Sequence, residues 1–553
     1  MTLTPIQSIQ GSGLESPLAG ETVRTRGVVT GNVRKGYFIQ DPAGSDEPGV
    51  SSGLFVYSRG QDAPLGALIE VEGKVLDFAK EERDRPTTQI QVKDDVSVID
   101  AHGPEIAPVW LMGANIPEST EELARFLNGL EGMLVGVRAG AVFIAASNPF
   151  GDYVVAPADV RDAFNSCGGI LLDANAPERW FPSFRIIDYN KAPQINVGST
   201  LLASVSGPLN YRSAAYQIAV DGPIETACKS VQPATTQWTP DDQHITILTL
   251  NGFNLDAHVE DPSEVKNRRL DVDDDLGDGR FDSLAQAIVE QAGGPDIVAL
   301  QEIQDNDGAE LTEVVDASET YKELIRAVRQ RRGPTYAWAE VPPQAGDDGG
   351  QPGGNIRNAF LYRRDRVDLI KGSLRRFGVD SDAFEGSRKP LMACFRAKAT
   401  GSEIVVINLH LASKRHQHSI FSPEQPGFDP RLEIRVQQAE VVRDVLLGLI
   451  DQGVDYYVTG DFNDSEFSQT LRAMTKDESV NLLETLPPDD RFDYNHRGKL
   501  QALMHGIVSM QQAAQGRTAY ETLHGNELIG VKPGEMGTKP TDHAYVLARL
   551  AVG

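Results

Sequence analysis

The sequence predicts an α+β protein of several domains, in which two β-rich domains precede one larger α/β domain. Its 553 residues are more than a single hydrophobic core usually serves. Residues 1–105 and 106–232 consist of short strand-like segments separated by Gly and Pro. From residue 240 to 553, apolar strands alternate with longer helical segments, as in an α/β domain with buried sheets.

Residues 1–105 show the period-two alternation of a small antiparallel barrel. Segments such as TVRTRGVVTGNV and SGLFVYSRG are bounded by turn residues. Aromatic residues of such a barrel are candidates for stacking nucleotide bases, although strand aromatics more often lie in a core. The four candidates are Tyr37, Phe38, Phe55 and Tyr57.

Residues 106–232 continue the same pattern as a second β-rich domain. Its one clear helix is predicted near STEELARFLNGLEG. The polar segment at 230–242 contains two prolines and separates this domain from the α/β domain.

The net charge of −27 and the pI near 4.8 argue against a broad basic surface. Proteins that coat nucleic acids bind through many Lys and Arg side chains that release counterions. A small acidic site that recruits a divalent cation is compatible with this charge. The composition therefore disfavours a passive nucleic-acid coat and leaves a metal-dependent enzyme open.

The sequence has no run of about 18 apolar residues, so it predicts no membrane span. The N-terminal MTLTPIQSIQGSG lacks the basic and apolar regions of a secretion signal, which predicts a cytoplasmic protein or a trimmed chain. Three cysteines do not make a disulfide framework, and whether Cys167 and Cys228 form one bridge stays open.

Polar side chains recur where the predicted strands of the last domain end. These residue types can bind a metal ion or a phosphate: Asn251 and Asn254, Gln301 and Glu302, Asn408 and His410, Asp461 and Asn463, and Asp542 and His543 before the final strand. A single such residue is usually a solvated turn residue. Five ends of this kind indicate a site, because neighbouring strand ends converge at one edge of a sheet.

This mixture of residues suits phosphoester hydrolysis. A hard cation such as Mg²⁺ prefers carboxylate and amide oxygens, which Asn251, Glu302 and Asp542 provide. An attacking water needs a base and a departing alkoxide needs an acid or a metal. Two histidines and a further Asp can take these roles without a nucleophilic Ser or Cys, so no covalent intermediate is expected.

The motifs TLNGFN, DIVALQEIQD, NLHLASK, GDFND and TDH, in this order, resemble the endonuclease/exonuclease/phosphatase superfamily, whose fold is that of deoxyribonuclease I. The resemblance covers residues 240–553 and implies a four-layered α/β/β/α sandwich there. Segments such as HLASKRHQHSIF resemble one branch, the large modular bacterial nucleases that are usually extracellular. In that branch an oligonucleotide/oligosaccharide-binding (OB) barrel precedes the catalytic domain, which implies OB-like folds for the two β-rich domains.

The resemblance implies that Glu302 ligates the catalytic metal, with Asn251 and Asp542 close to it. Mg²⁺ is the expected ion, and Mn²⁺ and Ca²⁺ are alternatives.

It also implies four catalytic residues. His410 would contact the scissile phosphate and assist the leaving group, and Asp461 would orient or deprotonate the water. Asn463 would hold a phosphate oxygen or that water, and His543 would act as a base or stabilise the transition state.

One position departs from the family pattern. Relatives usually carry an Asp in the strand before the final loop, where it accepts a hydrogen bond from the terminal histidine, and the matching QALMHGIVS has Met504 instead. Loss of such an orienter costs on the order of 10⁴ in rate in a Ser-His-Asp triad. Three interpretations stay open: a slower enzyme, substitution by another carboxylate such as Asp493, or a chain that binds without cleaving. On this basis Met504→Asp is expected to raise turnover.

Basic residues near the motifs are candidates for contacting the substrate. These are Arg357, Lys414, Arg431 and His505, together with the SKRHQH segment after His410.

The acidic segment DVDDDLGDGRFD has Asp271, Asp273 and Asp275 at the spacing of an EF-hand loop. Its sixth position is Leu276 instead of Gly and its twelfth is Asp282 instead of Glu. A solvated acidic loop before a helix is therefore the favoured interpretation.

The sequence thus predicts a Mg²⁺-dependent phosphodiesterase that cleaves DNA, with RNA as a further candidate, and that has little sequence preference. An alternative is a phosphatase or phosphodiesterase acting on a small molecule or a lipid headgroup, which the acidic charge favours. A second alternative is a catalytically weakened nucleic-acid or surface binding protein. A monomer is expected and no protein partner is inferred. The branch resemblance predicts secretion, which conflicts with the missing signal.

Overall fold

The computed structural model describes residues 2–80, 84–92, 96–160, 164–176, 179–414, 419–422, 429–535 and 539–553. None of the helices in these ranges is long and apolar enough to cross a membrane. Cys167 and Cys228 are free thiols, so the bridge left open by the sequence is not formed.

The N-terminal part forms a barrel-like sheet. Its elements are α1 (Ile6–Gln10), β1 (Thr22–Val33), β2 (Gly36–Gln40), β3 (Gly53–Tyr57), β4 (Leu68–Phe78), β5 (Thr87–Val92) and β6 (Ser97–Asp100). The strand order is β1-β2-β3-β5-β4, and β1 also pairs with β4, which closes the sheet. Tyr37 and Phe38 are buried, so these two cannot stack bases, whereas Phe55 and Tyr57 are half-buried.

The middle part is a nine-stranded sheet with the predicted helix. Its elements are β7 (Val109–Trp110), α2 (Thr120–Asn128), β8 (Leu134–Val137), β9 (Val142–Phe143), β10 (Asp152–Ala156), β11 (Ile170–Leu171), β12 (Ser183–Ile186), β13 (Thr200–Leu201), β14 (Val205–Arg212), β15 (Ala215–Val220) and β16 (Thr226–Ala227). The side chain of Ser119 caps α2 by accepting the N–H of Glu122 at 3.3 Å. Strand β11 lies outside this sheet and pairs with the C-terminal part.

The first half of the C-terminal part contains β17 (His244–Leu255), α3 (Arg280–Gln286), β18 (Ile297–Ile303), α4 (Ser318–Gln330), β19 (Tyr336–Ala339), β20 (Arg357–Arg363), β21 (Val367–Leu369), β22 (Arg375–Arg376) and β23 (Leu391–Ala397). The second half contains β24 (Glu403–His410), α5 (Leu432–Asp451), β25 (Tyr456–Asp461), α6 (Gln469–Thr475), β26 (Ser479–Asn481), β27 (Tyr494–His496), β28 (Lys499–Gln501), β29 (Met504–Ser509), α7 (Met510–Ala514), β30 (Thr518–Leu523) and β31 (Tyr545–Ala551).

These strands form two large sheets. The first has the order β19-β20-β18-β17-β31-β30, and the second has the order β21-β23-β24-β25-β29-β26, with β22 paired to β23. Side chains of both sheets, such as Ile247 and Val406, share one hydrophobic core. A second core joins the first sheet to α3 and α4, and a third joins the second sheet to α5 and α6. Both faces of the central strands are therefore covered, which explains their continuous apolar runs.

A small third sheet connects the middle and C-terminal parts. Strands β27 and β28 form a hairpin, and β11 adds to β28 in parallel, with Ile170 opposite Lys499 and Leu171 opposite Leu500. The predicted domain limits at residues 105, 232 and 240 stay predictions.

Candidate active site

The ends of four strands bring the predicted residues together. In the first sheet β17 and β18 are parallel, with Asn251 opposite Gln301. In the second sheet β24 and β25 are parallel, and His410 lies directly opposite Asp461. Parallel neighbours end at the same edge, so both sheets present polar residues there, as the sequence predicted.

Glu302 is aimed by a local irregularity of β18. The register with β20 shifts between Leu300 and Ile303, which is a β-bulge, and Glu302 within it has φ +53°. This left-handed conformation is costly for a residue with a side chain and is concentrated at functional sites. Bulges re-aim side chains next to active sites, and here the bulge turns Glu302 into the cluster.

Glu302, His410 and Asp461 form the centre of the site. One ligand atom from each lies within 4.8 Å of the others. Nε2 of His410 is 3.7 Å from Oε1 of Glu302 and 3.7 Å from Oδ2 of Asp461. The side-chain amide of Asn251 reaches the same two carboxylates, at 3.2 Å and 3.4 Å.

The carboxylates are crowded in a way that fits a divalent cation. Burial, followed by the charges of Asp542 and Asp461, raises the pKa of Glu302 to about 7. Burial also raises the pKa of Asp461. Such a set of hard oxygen donors is what Mg²⁺ binds, and a cation there would relieve the repulsion between them. The central cluster contains Asp461 and His410 beside Glu302, whereas the predicted ligand Asp542 lies at its margin, 3.9 Å from Nε2 of His543.

Asp461 is oriented by the turn that follows β25. Its Oδ1 accepts the backbone N–H of Asn463 at 2.8 Å, and Asn463 has φ +53°. The amide of Asn463 in turn donates to the carbonyl of Leu411 at 3.1 Å. The second oxygen of Asp461 is thereby left facing the two histidines.

His543 is held by Asp493. Its Nδ1 lies 3.0 Å from Oδ1 of Asp493, and its Nε2 lies 3.8 Å from Oδ2 of Asp461. The other oxygen of Asp493 accepts the backbone N–H groups of Leu503 and Met504, at 2.8 Å and 2.9 Å. The carboxylate missing at position 504 is thus present at 493, in the loop before β27.

Met504 itself belongs to the core between the sheets. Its side chain is fully buried among apolar residues. A carboxylate at this position would be buried next to Asp493, which argues against the expectation that Met504→Asp raises turnover, and that expectation stays a prediction to be tested.

The two histidines differ in charge, because their pKa values are shifted in opposite directions. Burial lowers the pKa of His543, but the hydrogen bond to Asp493 and the charges of Asp542 and Asp461 outweigh it and raise the pKa to about 10. Burial, then the positive charges of Arg388 and His543, lower the pKa of His410 well below its ordinary value. His543 is therefore an imidazolium at neutral pH and His410 is a neutral imidazole.

Arg388 is a site residue that the sequence reasoning missed. It is 5% exposed, donates to the carbonyl of Leu411 at 2.7 Å, and its Nε has no hydrogen-bond partner within the described ranges. Burial lowers its pKa, while the charges of Glu302 and Asp461 raise it and that of Arg431 lowers it further. The positive charge of Arg388 thus acts on the carboxylates of the site. The sequence contains one indication of this position, the SRKP segment directly before β23. Leu391, the first residue of β23, pairs with Asn408, which lies two residues before His410.

Tyr494 was also missed. Its ring centroid lies 4.8 Å from that of His543. Burial, then the charges of Asp542 and Asp461, raise the pKa of its phenol, which stays protonated. Tyr494 directly follows Asp493 in sequence. Its position beside His543 therefore depends on the contact between Asp493 and His543, which the sequence alone did not establish.

Two predicted substrate contacts are structural. Arg357 is 2% exposed and its guanidinium bonds the carbonyls of Asn355 and Val315 and the carboxylate of Glu340, so it has no free face for a phosphate. His505 is fully buried, with its nitrogens 3.0 Å from the amide of Asn481 and 2.8 Å from the carbonyl of Asp464.

Lys414 pairs with Asp464 at 3.3 Å and keeps 27% of its side chain exposed. The rest of the predicted steering segment, residues 415–418, lies outside the described residues.

Two further strand-end residues connect the sheets instead of lining the site. The amide of Gln301 donates to that of Asn408 at 2.7 Å, and Asn408 donates to the carbonyls of Leu300 and Ala359. Both side chains are fully buried. Buried hydrogen bonds of this kind fix how two sheets dock, although Oε1 of Gln301 has no partner among the described residues.

Two family models match parts of this chain. Residues 264–524 match the model of the Endonuclease/Exonuclease/phosphatase family, and residues 117–228 match a model described only as a domain of unknown function. No curated protein matches the chain in sequence.

Several solved structures are similar at low identity. An endonuclease/exonuclease/phosphatase from Bacteroides vulgatus is 15% identical, with 56% of this chain and 99% of that chain covered and a TM-score of 0.35. A mannosyl-6-phosphatase from Bacteroides thetaiotaomicron is 18% identical, with 55% and 98% covered and a TM-score of 0.34. The catalytic domain of human nocturnin with a bound sulfate anion is 13% identical, with 56% and 95% covered and a TM-score of 0.35.

Proposed function

We propose that this protein is a divalent-metal-dependent phosphodiesterase that hydrolyses DNA with little sequence preference, and the match of residues 264–524 to the Endonuclease/Exonuclease/phosphatase family model supports this proposal. RNA is a second candidate polymer. The proposal is carried by the approach of Glu302, His410 and Asp461 to within 4.8 Å of one another, beside the bonded pair of His543 and Asp493.

Glu302 would hold the metal, with Asn251 and Asp542 close to it. Mg²⁺ is the ion that the carboxylates of Glu302 and Asp542 fit first, and Mn²⁺ and Ca²⁺ are alternatives. Asn251 presents its amide nitrogen to the carboxylates, so in this structure it orients them instead of offering an oxygen to the ion. When bound, the ion would polarise a phosphoryl oxygen and stabilise the departing alkoxide.

Asp461 is the base in this proposal. Its burial raises its pKa, and its Oδ2 is not used by the Asn463 turn, so it can accept a proton from a water held between it and Asn463. The water oxygen then forms a bond to phosphorus as the bond from phosphorus to the leaving oxygen breaks. The proton released by the water resides on Asp461.

The two histidines take different roles because their charges differ. The imidazolium of His543 would stabilise the negative charge that develops on the phosphoryl oxygens. The neutral His410, whose Nε2 lies between Glu302 and Asp461, would contact the scissile phosphate. Arg388 would bind a phosphate oxygen, since a buried guanidinium with an unpaired Nε favours an anion. Arg431 stays a candidate for a second contact to the substrate.

The layering of the chain supports two finer assignments of its fold. The closed strand order β1-β2-β3-β5-β4 is compatible with an OB-like barrel, and the three hydrophobic cores are compatible with an α/β/β/α layering of the C-terminal part. We infer both assignments.

A small-molecule phosphoester is the second candidate substrate. The net charge of −27 favours it, because repulsion weakens the approach of a polyanion. A purely binding function has less support, since Asp493 supplies the carboxylate whose absence at position 504 suggested decay.

Supercoiled plasmid tests the proposal directly. The purified chain is incubated with plasmid and Mg²⁺, then with EDTA, alongside an Asp461→Ala/His410→Ala variant. We expect metal-dependent nicking that EDTA and the double variant abolish. The control is Asp444→Ala/His102→Ala, which makes the same residue changes at exposed positions and should leave nicking intact.

Plasmid that stays intact with Mg²⁺, Mn²⁺ and Ca²⁺ would contradict the nuclease. Chromogenic esters then separate the alternatives, since a phosphatase would hydrolyse p-nitrophenyl phosphate in preference to its diester. Salt provides a second discriminator, because contacts to several phosphates weaken steeply with ionic strength, whereas a small monoester is affected little.

A further inference from the structure

A second group of carboxylates lies outside the candidate active site. Asp256 directly follows β17, and Asp273 and Asp275 belong to the acidic segment before α3. One ligand atom from each of the three lies within 4.8 Å of the others. We call these three residues the acidic cluster.

The acidic cluster is not the EF-hand loop that the sequence spacing suggested. Asp271 lies outside it, since its carboxylate accepts the N–H of Asn267 and the side-chain amide of Gln351. A residue 19 positions away in sequence, Asp256, takes its place beside Asp275. The favoured expectation of a solvated loop is also corrected, because Asp256 and Asp275 are each 1% exposed.

Asp256 carries an oxygen that nothing in the described ranges satisfies. Its Oδ1 accepts the N–H of His258 at 2.8 Å, whereas its Oδ2 is buried without a hydrogen-bond partner among those residues. A buried carboxylate oxygen normally has several donors, so this oxygen of Asp256 is free to bind a cation.

The protein supplies too little positive charge for this cluster. Arg280 pairs with Asp275 and lies 3.8 Å from Asp273. Glu260, 3% exposed, adds a fourth carboxylate by accepting the N–H of Asp273 at 3.2 Å.

We propose that Asp256, Asp273 and Asp275 form a second divalent-cation site, specific for a hard ion of the size of Ca²⁺ and separate from the catalytic metal. Carboxylate oxygens around one Ca²⁺ lie about 2.3–2.6 Å from the ion, so oxygens within 4.8 Å of one another can share it. Ca²⁺ tolerates the irregular geometry of a buried loop, whereas Mg²⁺ requires near-octahedral geometry and keeps several waters.

This site would support the active site through Arg280. One nitrogen of Arg280 donates to the carbonyls of Gly252 and Phe253, each at 2.7 Å. The N–H of Phe253 donates to Oδ1 of Asn251 at 2.8 Å, which fixes the amide beside Glu302. Phe253 has φ +56°, a conformation that needs such support.

Equilibrium dialysis of the full chain against Ca²⁺, with bound metal measured by mass spectrometry, tests the site. The chain is first stripped with EDTA, and Glu302→Gln removes the catalytic carboxylate. We expect this variant to retain one Ca²⁺ per chain and the additional Asp256→Asn change to abolish it. Asp273→Asn, at a half-buried position, is the second variant, and Asp271→Asn is the matched control that should keep the ion.

Thermal unfolding gives an independent readout. Ca²⁺ at about 100 times its dissociation constant should raise the Tm of the Glu302→Gln chain by about 5 °C and leave the Asp256→Asn chain unchanged. Absence of bound Ca²⁺, binding that survives Asp256→Asn, or a Tm insensitive to Ca²⁺ would overturn the proposal. Plasmid nicking does not enter this test, so the proposed function can fail while the cation site stands.

Discussion

Nδ1 of His543 lies 3.0 Å from Oδ1 of Asp493, although the two residues are 50 positions apart in sequence. The backbone holds this pair from both sides, since the N–H of Ala544 donates to the carbonyl of Asp493 at 2.7 Å. Met504, which stands where relatives carry the orienting Asp, contributes its N–H to the same carboxylate. In this chain Asp493 therefore makes the contact with the terminal histidine that the family resemblance assigned to position 504.

Asp493→Asn is expected to lower kcat by about 10²–10⁴-fold with little change in KM. The hydrogen bond to Asp493 raises the pKa of His543, so its loss lets His543 lose its proton at a lower pH. The alkaline limb of the pH profile of kcat should therefore move to lower pH. Steady-state kinetics on a chromogenic diester measure both effects. An unchanged alkaline limb would show that Asp493 does not control the charge of His543.

Met504→Asp is expected to reduce stability without raising turnover. The new carboxylate would be buried in the core between the sheets and close to Asp493, which costs on the order of 3 kcal/mol. Met504→Leu, which conserves volume, should cost less than about 1.5 kcal/mol. Urea unfolding and kcat of both variants check this, and faster turnover by Met504→Asp would restore the expectation drawn from the sequence.

Arg388→Ala and Arg357→Ala should separate a substrate contact from a structural arginine. The first is expected to lower kcat/KM by about 10–100-fold and to reduce its dependence on salt, because a phosphate contact is lost. The second leaves the carboxylate of Glu340 and several carbonyls without their donor, so it should mainly lower the Tm. The reverse pattern, with Arg357→Ala affecting only kcat/KM, would contradict these assignments.

Glu131→Gln is expected to make stability less dependent on pH. Burial, only partly offset by the N–H of Thr88, raises the pKa of Glu131 from 4.5 to about 7. The folded chain binds the proton more tightly, so this group's stabilisation is complete below pH 4.5 and is lost as the pH rises through about 7. At pH 8 the free energy of unfolding of the variant should exceed that of the wild type by roughly 2–3 kcal/mol, whereas at pH 4.5 the two values should be similar.

Urea unfolding at the two pH values measures this difference. Glu72→Gln, at an exposed position, is the matched control and should leave the free energy of unfolding unchanged at both pH values. If the Glu131→Gln and wild-type chains had equal free energies of unfolding at pH 8, burial of the charged carboxylate would not destabilise the fold, and the prediction would be wrong.

Leu172→Pro tests whether the middle part of the chain supports catalysis. The N–H of Leu172 donates to the carbonyl of Leu500 at 2.7 Å, which anchors the hairpin of β27 and β28 that follows Asp493. Proline removes this donor, so kcat on the diester should fall and the alkaline limb should shift in the direction seen for Asp493→Asn. Leu172→Ala keeps the N–H and serves as the control. Equal kinetics of the two variants would show that the hairpin does not need the bond.

The sequence by itself determined the features of the candidate site that depend on a local pattern of apolar and polar residues. Apolar runs that end in Asn, Glu, His or Asp predicted the strands and the edge where Glu302, His410 and Asp461 meet. This is because buried strands appear in the sequence as apolar runs bounded by turn residues. Such strands can pack in only a few ways, so the edge at which they end is also predictable.

The tertiary structure alone decided which partners those residues have. It selected Asp493, which the sequence had left as one of three interpretations, as the partner of His543. It also placed Arg388 where its charge acts on the carboxylates and joined Asp256 to Asp275. It also buried Arg357 and His505, which the sequence had suggested as substrate contacts. These outcomes depend on where distant segments approach one another, and a contact between residues 50 positions apart leaves no periodic signal in either segment.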